Sequence, residues 1–213
     1  MSITINGTGS ITGLTAGGLP DGSVTNADLE YAGTSGQVLT SQGSGSAPQW
    51  ATVTDTGATW TTLSSQSLAS SAEVVVSGIP STATHVRVSF TNLKKATNTE
   101  WGIRVGGSGG LQTSGYDTIG GYWGNSSSGS QYNDRWACKG SASTGFDWNG
   151  QIDVFKMSGN LWQGFAWFHY NGGGTSRFAH GEVSLSATLD RIGFTGQGGN
   201  FASGIIYPSY MEP

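Results

Sequence analysis

The side chains that could do metal or nucleophilic chemistry are few and far apart in this sequence. The three histidines, His85, His169 and His180, are each more than four residues from the next. Zinc motifs need closer local spacing, so the sequence predicts no metal site. Cys138 is the only cysteine, so it has no partner for an internal disulfide. It lies in a predicted strand without a local signature for a base, and we expect it to be a small buried hydrophobe.

Carboxylates offer the other route to catalysis. A glycoside hydrolase needs two of them about 5–9.5 Å apart across the substrate. Asp153 and Glu182 lie on predicted strands and Asp134 lies near one, but nothing in the sequence brings two of them together. We therefore predict no catalytic residues and no enzyme activity. A secreted carbohydrate-active jelly-roll enzyme remains the less favoured alternative.

Glycine clusters and net charge bear on phosphate-containing ligands. Residues 196–199 lack the Lys-Ser/Thr ending of a phosphate loop, and a short strand rather than a helix is predicted after them. A hairpin turn is the simpler interpretation, and no cofactor is expected.

The net charge is −4, and the nine Lys and Arg residues are scattered. We therefore expect no nucleic-acid partner, because such a partner needs a basic patch.

Aromatic residues interleaved with short polar residues are the richest signal. The chain has eight tryptophans, and rings alternate with Asn, Asp and Gly around residues 116–117, 122–125, 132–136 and 146–149. Such sets suit contact with carbohydrate or protein, although the same rings could fill a core. The candidate receptor contacts flank a predicted loop at residues 126–130 and are Trp123, Asn125, Tyr132, Asn133 and Asp134.

Short strands must position these residues. Ten runs are predicted as strands: 73–77, 85–92, 101–105, 116–123, 132–138, 151–157, 162–170, 181–186, 191–195 and 204–207. Glycine-rich turns separate them, and no segment keeps a helical period. The expected fold class is all-β, with an extended N-terminal arm followed by an antiparallel β-sandwich or jelly-roll-like domain.

The composition changes near residue 55. Residues 1–55 contain no Lys or Arg and too few apolar residues to offset the entropy of folding alone. They are either a flexible linker or an arm held by a partner, and strand-like and turn-like patterns favour the arm. We therefore predict an arm over 1–55 and a sandwich over 56–213. The apolar residues expected to contact the partner are Ile3, Ile5, Ile11, Leu14, Leu19, Val24 and Leu29.

Membrane insertion and secretion are not expected. No run approaches eighteen consecutive apolar residues, which is about the length that a membrane-spanning helix needs. Residues 1–13 have neither a basic region nor a long apolar core, so they do not resemble a secretory signal.

Three stretches resemble proteins of tailed-bacteriophage virions. Residues 3–14 (ITINGTGSITGL) and 16–24 (AGGLPDGSV) resemble the N-terminal arms of tail fibres and other virion proteins. Residues 35–41 (SGQVLTS) with 47–50 (APQW) are similar to the connector ahead of fibre domains. Residues 189–194 (LDRIGF) and 200–207 (NFASGIIY) are similar to the last hairpin of fibre and decoration β-sandwiches.

The resemblance implies a non-enzymatic virion component. Such components are usually homotrimers that hold other virion proteins through the arm and turn the sandwich outward. The expected function is a short tail fibre or spike on the virion surface, which contacts the host surface and could bind a host glycan. The alternative is a capsid decoration protein, or head fibre, because the arm does not distinguish tail from capsid.

Overall fold

Strands account for all the regular structure that the computed structural model describes. The described residues are 33–44, 46, 48–53, 57–123, 128–138, 145–171 and 176–213, and no helix occurs among them. The chain divides into two compact units, residues 1–56 and 57–213. All seven predicted arm contacts, from Ile3 to Leu29, lie outside the described residues, so their role stays a prediction.

A small hairpin forms in the first unit. Strand β1 (Gln37–Thr40) pairs antiparallel with β2 (Gln49–Thr52), which places Leu39 opposite Trp50. Gly33 lies against the Trp50 ring, because a Cβ at this position would approach Trp50 Cδ2 to 2.5 Å. The connector-like stretch of the sequence is therefore paired, whereas the sequence predicted only an extended segment.

The second unit contains the remaining strands. In chain order they are β3 (Thr59–Thr62), β4 (Gln66–Ser67), β5 (Glu73–Ser77), β6 (His85–Lys95), β7 (Trp101–Gly107), β8 (Gly110–Leu111), β9 (Tyr116–Trp123), β10 (Ser128–Tyr132), β11 (Trp136–Cys138), β12 (Trp148–Ser158), β13 (Leu161–Tyr170), β14 (Ser176–Ser184), β15 (Arg191–Gly196) and β16 (Phe201–Glu212).

These strands form two antiparallel sheets of unequal size. The large sheet has the order β10-β9-β14-β13-β12-β6-β16-β3, with β4 also paired to β16. The small sheet has the order β11-β7-β15-β5, with β8 paired to β7. The chain crosses repeatedly between the sheets, for example from β5 to β6 to β7. This pattern is typical of a β-sandwich.

Aromatic side chains from both sheets meet in the core. Phe90 of the large sheet lies 5.4 Å from Trp101 and 5.6 Å from Phe194 of the small sheet, between ring centroids. Phe168 lies 5.1 Å from Trp101. All four rings are almost fully buried. The predicted all-β fold with an antiparallel sandwich is therefore confirmed.

The predicted strand bounds are correct in some places and wrong in others. The strands at 73–77 and 116–123 have the predicted bounds. The single predicted strand at 132–138 is wrong, because β10 ends at Tyr132 and β11 begins at Trp136. The chain bends at 133–135, where it leaves the large sheet for the small one. The predicted loop at 126–130 is wrong over 128–130, which belong to β10.

Candidate binding surface

Strand β13 carries apolar side chains on both of its faces. Trp162, Ala166 and Phe168 point inward and are buried. The alternate residues Phe165 and Trp167 point outward and are 49% and 47% exposed. Because successive side chains of a strand point to opposite faces, the outward residues lie on the solvent side of the large sheet. These two rings are not needed to fill the core. Any further burial of them would have to come from contact with another molecule or segment.

Neighbouring strands extend this exposed region. Trp167 lies opposite Phe178 and Phe165 lies opposite His180 on β14, and His180 lies opposite Ile119 on β9. With Phe155 of β12, these residues form what we call the outer aromatic face, and its members are Ile119, Phe155, Phe165, Trp167, Phe178 and His180. A shallow hollow of about 280 Å³ opens within it, lined by Phe155, Gln163, Gly164, Phe165 and His180.

Polar side chains beside the rings are bonded to one another. Asp153 Oδ1 lies 2.7 Å from both Arg87 Nε and His85 Nε2. Asp153 Oδ2 accepts a hydrogen bond of 2.6 Å from Gln151 Nε2. Ser89 Oγ donates to Gln151 Oε1 over 3.3 Å. Both oxygens of the carboxylate therefore have partners within the sheet.

His85 is enclosed by rings. Its imidazole stacks on Phe155 with centroids 4.1 Å apart and meets the edge of Trp60 at 4.6 Å. Burial lowers the pKa of His85 below its ordinary value of 6.5, and it outweighs the opposing effect of Asp153. No hydrogen bond joins His85 to a hydroxyl or thiol in the described part of the chain. The contacts of His85 with Asp153, Phe155 and Trp60 therefore hold the imidazole within the sheet.

A second hollow lies at one end of the large sheet. Trp123, the last residue of β9, is 67% exposed. Together with Tyr122, Ser128, Gly129 and Phe178 it lines a hollow of about 440 Å³, which we call the Trp123 hollow. The Arg177 guanidinium lies 4.7 Å from the centre of the Tyr122 ring. Because Phe178 belongs to both, the hollow is continuous with the outer aromatic face.

The other predicted receptor contacts lie elsewhere. Tyr132 pairs with Thr118, five residues before Trp123 on β9, which separates the two aromatics by about 17 Å along the strand. Tyr132 and Asn133 line a separate polar groove of about 320 Å³. Asn125 lies outside the described residues. The structure therefore does not bring Trp123 together with Tyr132–Asp134, and their role as receptor contacts stays a prediction.

Asp134 and Tyr132 take part in a cluster of charges where the chain changes sheets. Asp134 Oδ2 lies 2.7 Å from both Arg104 Nη2 and Arg135 Nη1. Glu100 accepts from Arg135 Nη2 at 2.9 Å and from the Tyr132 hydroxyl at 3.1 Å. Burial alone would raise the pKa of Asp134, but hydrogen bonds from Arg135 and Arg104 hold it below its usual range. Burial and the neighbouring Glu100 raise the pKa of Tyr132 to about 12. These contacts fix the bend at 133–135.

The residues with potential for metal or thiol chemistry have ordinary surroundings. No group of three His, Cys, Asp or Glu side chains is placed to hold a metal ion within the described ranges. Cys138 is a free, buried cysteine, as the sequence predicted, and burial raises the pKa of its thiol. Asp153 and Asp134 are bound to arginines rather than to each other.

Sequence reasoning did not identify the outer aromatic face. The segment LWQGFAWFHY of β13 has large apolar residues at both odd and even positions, and that pattern indicates a strand with two apolar faces. This signal was available. The neighbours Phe155, Phe178 and Ile119 depend on strand order and register, which no local pattern contains.

Comparison with known proteins gives no match: no family model, curated protein or solved structure is significantly similar to the chain. In the described residues, no helix has the length and apolar character needed to cross a membrane.

Proposed function

We propose that this chain is a structural protein of a tailed-phage virion, a short trimeric tail fibre or spike. In this proposal, residues 1–55 attach it to other virion proteins, and the sandwich contacts the host surface. The support for the virion comes from the resemblance of residues 3–24 to virion attachment arms. The support for host contact comes from the surface of the sandwich.

The observation that carries the adhesive role is the Trp123 hollow. Two exposed or half-buried rings, Trp123 and Phe178, border a volume of about 440 Å³ at one end of the large sheet. Flat rings bury the apolar faces of ligands such as sugars, and tyrosine adds a polar tip. Tyr122, Ser128 and Gly129 complete the lining of the hollow. A host glycan is the ligand class that fits this lining best.

Capsid decoration is the second candidate. Every described strand of residues 57–213 belongs to one sandwich, so no described segment of that unit forms a shaft. A decoration protein needs no shaft and no receptor site. Location on the particle separates the two proposals.

Antibody labelling of intact particles tests the proposal directly. Signal at the tail supports the fibre, signal across the capsid supports decoration, and a particle without this protein overturns both.

Adsorption of the protein to host cells tests the adhesive role. We expect Trp123→Ala to weaken binding of the full chain to host cells about 10-fold or more, because a central aromatic contact is lost. Tyr207→Ala, at an exposed ring on β16, is the control and should leave binding unchanged.

A further inference from the structure

We propose that the outer aromatic face is the surface on which one copy of this chain packs against another. The inference rests on the homotrimer proposed above and deepens it by naming the surface. Nothing in the sequence analysis assigned a role to Phe155, Phe165 or Trp167.

The first support is the amount of apolar surface and its continuity. Ile119, Phe155, Phe165 and Trp167 are each 40–49% exposed and lie on β9, β12 and β13, with Phe178 and His180 of β14 between β9 and β13. Single exposed apolar residues are normal, but a contiguous patch marks an interaction site. A buried aromatic side chain covers about 150–250 Å². Four half-exposed residues therefore supply several hundred Å², a large part of the about 800 Å² per partner in a stable interface.

The second support comes from the polar groups of the face. Both oxygens of Asp153 and the oxygen of Gln151 already have partners within the sheet. Covering these three oxygens with protein therefore leaves none of them without a hydrogen bond, and an unpaired buried polar group is a main cost of a dry interface.

The third support concerns the identity of that protein. The face carries projecting rings at Phe165 and Trp167 and, beside them, a hollow of about 280 Å³. A surface with both features can pack against a copy of itself, with a ring of one copy in the hollow of the next. Such head-to-tail contacts close into a ring of copies when the rotation allows it. Arg87 and Asp153 neutralise each other beside the rings of the face.

The test measures the mass of the full chain by sedimentation equilibrium over a concentration series. We expect a trimer for the natural chain and an association weakened about 10-fold or more in the double variant Phe165→Thr, Trp167→Thr. Threonine favours strands, so the fold should persist. Val75→Thr is the matched control: Val75 lies on β5 of the small sheet, in the other layer of the sandwich, and points away from the core, so the mass of this variant should not change. Circular dichroism reports the fold of each variant.

A second variant tests the same contact in case the double variant does not fold. Gln163→Glu changes an exposed polar residue that lines the hollow, and it places an uncompensated negative charge in the contact, because the residue opposite it on β14 is Glu182. We expect the same weakening of association.

Each other outcome overturns the inference in a distinguishable way. A natural trimer with both variants still trimeric rejects this face but keeps the homotrimer. A monomeric natural chain rejects the face and the homotrimer together, while particle labelling still decides the virion role. Unchanged mass with lost glycan binding in the double variant assigns the face to a glycan. A monomer in which Trp167 becomes accessible to a quencher only after removal of residues 1–32 assigns it to the N-terminal segment.

Discussion

Trp136 links the two sheets through one side chain. It belongs to β11 of the small sheet, yet its ring lies against Gly164 of the large sheet, and its Nε1 donates to Gly181 O at 3.1 Å. A Cβ at residue 164 would approach Trp136 Cε2 to 2.3 Å. Gly181 adopts a φ of 137°, which other residues rarely adopt. Gly164 therefore leaves room for the tryptophan, whereas a Cβ at Gly181 would approach the backbone of β9, at 2.2 Å from Asp117 O.

Gly164→Ala should destabilise the sandwich. The added methyl group forces the Trp136 ring to move in a close-packed core, and such overpacking costs about 1–3 kcal/mol. Urea unfolding measures the change in free energy. Gly129→Ala is the control, because the nearest atom to its Cβ would be 3.6 Å away, and its effect should stay within about 0.5 kcal/mol. Equal effects at the two positions would refute this explanation of Gly164.

His85 should make stability depend on pH. Its pKa is lowered in the fold, so the unfolded chain binds more protons between the folded pKa and the ordinary value of 6.5. Stability is therefore fully present above about pH 6.5 and falls as the pH drops through that window. Asp153 and Arg87 are the charged groups that face the imidazole.

A variant isolates this contribution. In His85→Gln, we expect the free energy of unfolding to change less steeply between pH 7 and pH 5 than in the natural chain. Chemical denaturation at several pH values gives both slopes. If the two slopes coincide, titration of His85 does not contribute.

At the scale of elements, β16 holds the large sheet together. It pairs with β6 on one side and with β3 and β4 on the other, and its Ile206 is fully buried. Removal of residues 206–213 should therefore prevent folding, because it takes away core surface and leaves β6 with an unpaired edge. Removal of the exposed Pro213 alone should have no effect. Solubility and circular dichroism distinguish the two, and a folded 1–205 chain would contradict this assignment.

The success of sequence reasoning differed from strand to strand. Strand β6 was predicted because Val86, Val88 and Phe90 alternate with polar residues, and these three residues are buried. Strand β3 (TWTT) was missed because all four of its residues are exposed. Strand β10 was missed because Ser and Gly resemble a loop, although its backbone pairs fully with β9. Backbone pairing at a sheet edge leaves little trace in hydrophobic pattern.

The candidate surface was predictable only in part. Trp123 was identified because a ring next to short polar residues suits a contact site, and it is the most exposed of the large hydrophobic residues described. Tyr132 and Asp134 matched the same pattern, yet Glu100 and Arg104 hold them from distant parts of the chain, together with the adjacent Arg135. Local sequence does not specify these long-range partners, so it cannot separate a binding residue from a structural one.

At the scale of the molecule, the two units allow attachment to be tested apart from folding. Residues 57–213 form a compact unit with their own core. Deletion of residues 1–30 should therefore leave a soluble, folded sandwich that no longer joins virions, if the arm pairs with the edge of a neighbour. Incorporation into particles is the measurement, and circular dichroism controls for folding. If the truncated protein is incorporated into particles at normal occupancy, residues 1–30 are not the attachment segment.

The position of β16 also governs when the protein can fold during synthesis. Strand β6 appears early in translation, but its neighbour in the sheet, β16, is made more than one hundred residues later. Until residue 212 has left the ribosome, β3 lacks its partner and β6 has one open edge. Such distant pairing slows folding and exposes strand edges to other chains. Nascent copies made on one messenger RNA would therefore expose unpaired strand edges to one another. A chaperone that binds these edges would favour pairing of β16 with β6 within one chain before copies assemble.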